Sequence, residues 1–96
     1  MNKESAEKLW ANFDFLDPEE TFMEFGFGCP DSWFNLLWNL CEKIREELMQ
    51  DEELEESFRV LQVKEKWGTL RFYVIGANEK IREMIEEAME ESQKIR

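Results

Sequence analysis

One stretch of the chain decides the fold: residues 58–75 read FRVLQVKEKWGTLRFYVI. In this stretch the apolar residues change from the helical period of about 3.6 to the strand period of 2. Two alternating runs, Arg59–Glu65 and Leu70–Ile75, flank a turn at Gly68, a residue that adopts positive φ angles without a steric penalty. The pattern predicts an antiparallel β-hairpin.

The length of the loop sets the register of this hairpin. A loop of even length, either Trp67-Gly68 or 66–69, places Val63 opposite Phe72. One face of the hairpin then carries only apolar residues: Leu61, Val63, Leu70, Phe72 and Val74. The other face carries Gln62, Lys64, Arg71 and Tyr73, with Val60 and Ile75 at its far end. A three-residue loop would mix the two faces and expose apolar groups, so we expect the even loop.

Three helical patterns precede the hairpin. The first covers residues 4–13 with Ser5 as its N-cap, because apolar residues recur there at helical spacing. A second start signal at residues 17–20 (DPEE) predicts a short helix that the glycines near residue 27 end within about two turns. The third and broadest apolar stripe predicts a core helix that begins at Asp31 or Ser32 and ends near residue 50.

A fourth helix follows the hairpin, with Asn78 as its N-cap. Before the hairpin, segment 46–56 holds seven acidic residues among eleven and is predicted to be a fraying helix end and a solvated link. A two-stranded hairpin is not stable alone, so we expect the core helix and the last helix to cover it. The predicted fold is a single α+β domain over residues 1–96, with helices packed on a two-stranded antiparallel hairpin in the order α-α-α-β-β-α.

Composition narrows the functional classes. The chain has 96 residues, enough for one domain, with 23 acidic residues against 12 basic ones, a net charge of −11 and no histidine. The lack of imidazole excludes mechanisms that use it as a base, an acid or a metal ligand. The acidic run 51–56 lacks the spacing of a calcium loop, and the two cysteines lack the spacing of zinc ligands. We therefore expect neither an enzyme nor a bound cofactor or metal.

The cysteines and the N-terminal segment indicate a location. A helix that begins near Asp31 carries Cys41 too far from Cys29 for a disulfide, whose Cα atoms lie within about 7 Å of each other. Both are expected to be free thiols in a reducing compartment. Residues 1–10 lack the apolar core of a signal peptide, and no run approaches the roughly 20 apolar residues of a membrane span. We expect a cytoplasmic location without membrane contact.

The hairpin carries a local excess of positive charge. Residues 58–75 hold four cations against Glu65 alone, a local charge of +3 in a chain whose remainder is then −14. The candidate partner-binding residues here are Lys64, Lys66, Trp67, Arg71 and Tyr73. The functional interpretation is a face that binds an anion or a partner. The alternative interpretation is that the protein's own glutamates cover this face and that Trp67 packs against a helix.

The last helix carries regularly spaced glutamates. Glu83, Glu87 and Glu91 follow one another at i, i+4, as do Glu86 and Glu90. Each like-charge pair costs about 0.2–0.5 kcal/mol, so a helix selected for stability alone would carry lysines there. The functional interpretation is a strip that binds a basic protein surface. The alternative is an ordinary solvated helix face.

The hairpin sequence of residues 62–73, QVKEKWGTLRFY, resembles the hallmark of a family of small, largely uncharacterised phage, prophage and bacterial proteins. Residues 29–34 (CPDSWF) resemble that family's Cys-Gly-x-Gly-Trp-aromatic segment, with matching residues at Leu37, Leu40 and Cys41. The chain departs from the family at Pro30 and Ser32, where glycines are expected. Residues 93–96 do not continue into the Cys-x-x-Cys pair of many relatives, so either this member lacks a terminal zinc knuckle or the tail was removed. The resemblance implies a phage-encoded accessory role that involves host machinery, and it brings no metal.

Three functions are compatible with these features. The first is a non-enzymatic accessory protein that binds a host protein with a basic surface and inhibits a nucleic-acid-handling or defence system. The second is a nucleic-acid-contacting module that uses the basic hairpin. The third is a self-associating structural protein, which a monomeric mass by light scattering would exclude; the sequence leaves the oligomeric state open. The first is preferred, because a net charge of −11 repels bare phosphate backbones.

Overall fold

The computed structural model describes residues 1–16 and 28–95. Within these residues the chain forms α-helices, a short 3₁₀ turn and a two-stranded antiparallel sheet. In chain order the elements are α1 (Lys3–Asn12), the 3₁₀ turn (Asp31–Trp33), α2 (Phe34–Met49), α3 (Glu52–Ser57), β1 (Arg59–Lys66), β2 (Thr69–Ile75) and α4 (Glu79–Ser92). The α+β fold and the order α-α-α-β-β-α are confirmed.

The first two helices begin differently from the prediction. Asn2 rather than Ser5 caps α1, because its side chain accepts the Ser5 N–H at 2.8 Å. α2 begins at Phe34, after the 3₁₀ turn, and has no side-chain cap; Asp31 instead accepts the backbone N–H of Asn2. Asp31 therefore links the segment before α1 to the segment before α2. The helix predicted to begin at residue 17 lies outside the described residues.

A short helix, α3, replaces the solvated link predicted after α2. The carboxylate of Asp51 caps it by accepting the N–H groups of Glu53 and Leu54 at 3.1 and 3.2 Å. The glutamates of its first turn lie at the positive end of the helix dipole, where negative charge is favourable. Leu54 is buried in the core. The acidic composition that predicts solvation thus also supplies a cap and a favourable first turn.

The register of the hairpin agrees with the prediction. Val63 pairs with Phe72 and Lys64 with Arg71, and the connecting loop is the two-residue Trp67-Gly68. Both loop residues have positive φ angles, 58° and 77°. Two consecutive positive φ angles are typical of the type I′ turn, whose twist matches that of a hairpin.

One predicted face is wrong near the open end of the hairpin. The register shifts between Val60 and Gln62, so Leu61 is the extra residue of a β-bulge. Val60 therefore pairs with Val74 and is buried in the core, although the prediction places it on the opposite face. Leu61, predicted to face the core, is only half-buried. Because of the bulge, the residues of β1 that precede it face the side of the sheet opposite to the predicted one.

The last helix joins the sheet to the rest of the core. α4 packs against β2 and also against α2. Ser92 is fully buried at the end of α4, where its hydroxyl accepts the Leu70 N–H at 2.9 Å and donates to the Met89 carbonyl at 2.6 Å. A side-chain hydrogen bond therefore fixes the carboxyl end of α4 to β2.

Candidate functional site

The sheet separates the predicted site residues into two surfaces. Side chains alternate across a strand, and Leu70 and Phe72 of β2 are buried in the core that α4 covers. Arg71 and Tyr73, which alternate with them, therefore lie on the other side of the sheet. The predicted glutamates lie on the exposed side of α4. The positive and negative candidates do not form one site.

We name the first surface the basic hairpin face; it consists of Lys64, Lys66, Arg71 and Tyr73. Lys64 lies opposite Arg71, and its Nζ is 5.8 Å from the centre of the Tyr73 ring, within cation–π distance. None of the three cations forms an ion pair with another described residue. In the described part of the chain, the protein's own glutamates therefore do not neutralise this face.

Trp67 lies at the tip of the hairpin with its side chain 87% exposed. The interpretation in which it packs against a helix is therefore wrong. Its φ angle of 58° is in the left-handed region, which costs a non-glycine residue about 1–2 kcal/mol. Asparagine or glycine is preferred at this turn position, so fold stability gives no reason for a tryptophan. Trp67 is a candidate contact residue.

We name the second surface the acidic groove; it lies between α2 and α4 and has a volume of about 370 Å³. Four apolar residues contribute to its lining: Leu36, Leu40, Met84 and Ala88. Leu40 and Ala88 are buried and form its floor. Three exposed carboxylates, those of Glu87, Glu90 and Glu91, also line it, against one cation, Lys43. The groove combines an apolar floor with a negative edge on its α4 side.

The structure brings three of the five predicted glutamates to the groove. Glu83 and Glu86 are exposed but lie outside its lining. Glu91 pairs with Lys94 at 3.7 Å, an exposed pair that contributes little to stability. Glu87 and Glu90 form no ion pair with another described residue. Two of the three groove carboxylates are therefore not neutralised by another described residue.

Both ends of α4 are fixed, which holds the groove in shape. At the amino end, Glu47 of α2 lies 3.4 Å from the Lys80 ammonium and accepts a hydrogen bond from the Asn78 side chain at 3.2 Å. Asn78 also accepts the Ile81 N–H at 2.8 Å, so the predicted N-cap is confirmed. At the carboxyl end, Ser92 holds α4 to β2. Both ends of α4 are therefore held by contacts with neighbouring elements.

Sequence reasoning missed the apolar part of the groove. Leu36 is half-buried and lies beside the main stripe of α2, and Lys43 follows the buried Cys41 by two residues. Their approach to α4 depends on how the two helices cross, which no local pattern encodes. The only signal in the sequence is the breadth of the apolar stripe on α2.

The two cysteines are buried and free, as predicted. Burial raises the pKa of Cys29 to about 12; the N-terminal ammonium lowers it and Glu65 raises it by smaller amounts. Burial also raises the pKa of Cys41, against a lowering effect of Arg45. Both thiols are therefore protonated at neutral pH and are not nucleophiles.

Two further observations concern residues 1–16 and 28–95. They contain no group of three or more His, Cys, Asp or Glu side chains that could hold a metal ion. Nor does any helix among them have the length and apolar character needed to cross a membrane.

Comparisons of the chain with protein-family models, curated proteins and solved structures give no match.

Proposed function

We propose that this chain is a non-enzymatic, cytoplasmic accessory protein of the phage or prophage type that binds a host protein through the acidic groove. One observation carries the proposal: the exposed carboxylates of Glu87, Glu90 and Glu91 line the α4 side of a groove whose floor, between α2 and α4, is apolar. A merely solvated acidic helix needs no apolar floor. An apolar centre within a polar rim is the usual anatomy of a protein interface.

The groove defines the chemistry of its partner. An apolar side chain fits the floor, and lysines or arginines beside it complement the carboxylates. The net charge of −11 also attracts basic proteins before contact and accelerates association. Exposed charges are screened within about 10 Å at 0.1 M salt, so we expect binding to weaken steeply as salt is raised.

The proposed consequence of binding is inhibition. Proteins that handle nucleic acids carry basic surfaces that neutralise phosphates. An acidic chain that occupies such a surface excludes the nucleic acid. The hairpin motif supports a phage-type setting, in which host nucleic-acid-handling and defence proteins are the natural targets.

Affinity capture with two charge-matched variants tests the proposal. The tagged chain is incubated with nuclease-treated bacterial lysate at low and high salt, and the captured proteins are identified by mass spectrometry. The test variant E87K/E90K reverses two groove carboxylates. The control variant E83K/E86K reverses two exposed glutamates at the same spacing on α4 but outside the groove. Both variants have the same net charge.

We expect a basic protein that resists nuclease treatment, is released at high salt, and is lost with E87K/E90K but kept with E83K/E86K. Equal losses with both variants would show that only the overall charge matters and would contradict the groove. Capture that does not change with salt would contradict an electrostatic interface.

The basic hairpin face supports a second candidate function, contact with nucleic acid. The Nε of Arg71 is buried without a hydrogen-bond partner among the described residues, next to cations that form no ion pair there. Such a face binds phosphates through its cations and stacks bases on aromatic rings such as Tyr73 and Trp67. Anisotropy with labelled single- and double-stranded oligonucleotides at low salt tests it. Binding that K64E/K66E abolishes supports this function, and no binding at all eliminates it.

A further inference from the structure

A separate cleft lies at the tip of the hairpin and has a volume of about 600 Å³. The 3₁₀ turn, the hairpin tip and the segment that follows α4 meet there. The residues that determine its chemistry are Trp33, Glu65, Trp67 and Gln93. None of these residues belongs to the acidic groove. The volume of the cleft is within the range of about 300–1,000 Å³ that is usual for ligand sites.

Trp33 forms part of the wall of this cleft. Its side chain is only 1% exposed, and its indole Nε1 has no hydrogen-bond partner among the described residues. The Nε1 atom is itself buried, so a molecule in the cleft would contact the Trp33 ring and not this N–H. Trp33 therefore contributes a fixed aromatic wall to the cleft and no hydrogen bond.

Trp67 and Glu65 add an aromatic surface and a negative charge. Trp67 is 87% exposed and held in a left-handed conformation that does not favour a tryptophan. Glu65 is exposed and forms no ion pair with another described residue. An indole face attracts cations, and a carboxylate binds them by charge-assisted hydrogen bonds. The negative end of the α4 dipole, beside Gln93, acts in the same direction.

We propose that this cleft binds an arginine side chain presented by an extended segment of the protein partner. A guanidinium group both stacks on an indole ring and donates paired hydrogen bonds to a carboxylate, which an ammonium group does not do. The inference rests on the proposed function, because it names a second point at which the basic partner is recognised.

Titration of two short peptides into the ¹⁵N-labelled chain tests the inference, with the indole N–H signals of the tryptophans as the readout. The peptide acetyl-Gly-Arg-Gly-amide is expected to shift the signals of Trp33 and Trp67 saturably. In the matched peptide, citrulline replaces arginine and keeps its size without its charge. We expect that peptide to bind about fivefold more weakly or not at all.

Matched variants locate the binding site. E65Q and W67A are each expected to weaken binding of the arginine peptide about fivefold. E53Q changes an exposed carboxylate of α3 that does not line the cleft, and this control is expected to bind normally. Unshifted Trp33 and Trp67 signals, equal affinity for the two peptides, or equal effects of test and control variants would each overturn the inference.

Different results would contradict the arginine cleft and the acidic groove. If W67A captures the groove partner with undiminished yield and the wild-type chain does not bind the arginine peptide, only the cleft assignment is wrong. If the arginine peptide binds but E87K/E90K has no effect on capture, only the acidic groove is wrong.

Discussion

Replacing Ser92 by alanine tests the hydrogen bond that joins α4 to β2. Ser92 and Leu70 are both fully buried, and the Ser92 hydroxyl accepts the Leu70 N–H at 2.9 Å. In S92A this N–H has no acceptor and no access to water, which costs about 1–3 kcal/mol. The higher helix propensity of alanine offsets about 0.5 kcal/mol of this cost. The net loss is therefore about 1.5 kcal/mol, equivalent to a fall in Tm of about 6–12 °C for a domain of this size.

Urea unfolding followed by tryptophan fluorescence measures this loss as a lower midpoint with an unchanged slope. The control is S32A, which removes the hydroxyl of an exposed serine in the 3₁₀ turn. We expect S32A to remain within about 0.5 kcal/mol of the wild-type chain. If S92A is as stable as S32A, the Leu70 N–H finds another partner and Ser92 does not fix α4 to the sheet.

Three further predictions concern other points of the fold. Gly68 and Gly76 both have positive φ angles, but only at Gly76 would an added Cβ overlap the last carbonyl oxygen of α3. Urea unfolding should therefore show that G76A lowers the free energy of unfolding by about 1–3 kcal/mol more than G68A does. Equal losses in the two variants would contradict this close approach. N78A removes the cap of α4 and should lower the free energy of unfolding by about 1 kcal/mol, so an unchanged urea midpoint would contradict its role. Burial raises the pKa of Cys29 to about 12 and also raises that of Cys41. Above about pH 9 the unfolded thiols lose protons that the folded thiols keep, so stability should fall between about pH 9 and pH 12 by up to about 1.4 kcal/mol per pH unit for each thiol. Urea unfolding at several alkaline pH values should show that the stability of C29A/C41A falls less steeply with pH than that of the wild-type chain. The same slope in both chains would refute the raised thiol pKa values as the cause.

The hairpin register was predictable because its signal is local and periodic. The alternation of β2 and the single glycine of the turn allow only one pairing that keeps Val63 and Phe72 on the apolar face. The bulge was not predictable, because Val60 and Leu61 are both apolar and either could face the core. Which of them pairs with β2 depends on how the rest of the core meets the open end of the sheet.

Helix capping was predictable only where a single suitable residue precedes the helix. Asn78 stands alone before α4 and is its cap. Before α1, Asn2 and Ser5 are both suitable caps, and Asn2 takes the position. At the start of α2, Asp31 makes a bond to a distant part of the chain instead of capping its own helix. A tertiary contact of this kind leaves no local pattern.

The candidate sites were predictable as residues but not as surfaces. The spacing of Glu87 and Glu91 shows that they share a helix face, and the hairpin register shows that Lys64 faces Arg71. The apolar floor of the groove exists only because α2 and α4 pack together. The cleft at the hairpin tip joins Trp33 to Gln93, residues far apart in sequence, so neither period nor composition reveals it.

The conformation of Trp67 has an evolutionary consequence. Asparagine fits the left-handed backbone at this turn position better, so W67N should stabilise the fold by about 1 kcal/mol. Selection for stability alone would therefore remove the tryptophan. Stabilising substitutions of this kind commonly reduce function where a strained site performs it. If the proposed arginine contact is correct, a screen for thermostability would remove Trp67 and with it the binding that we propose for the hairpin tip.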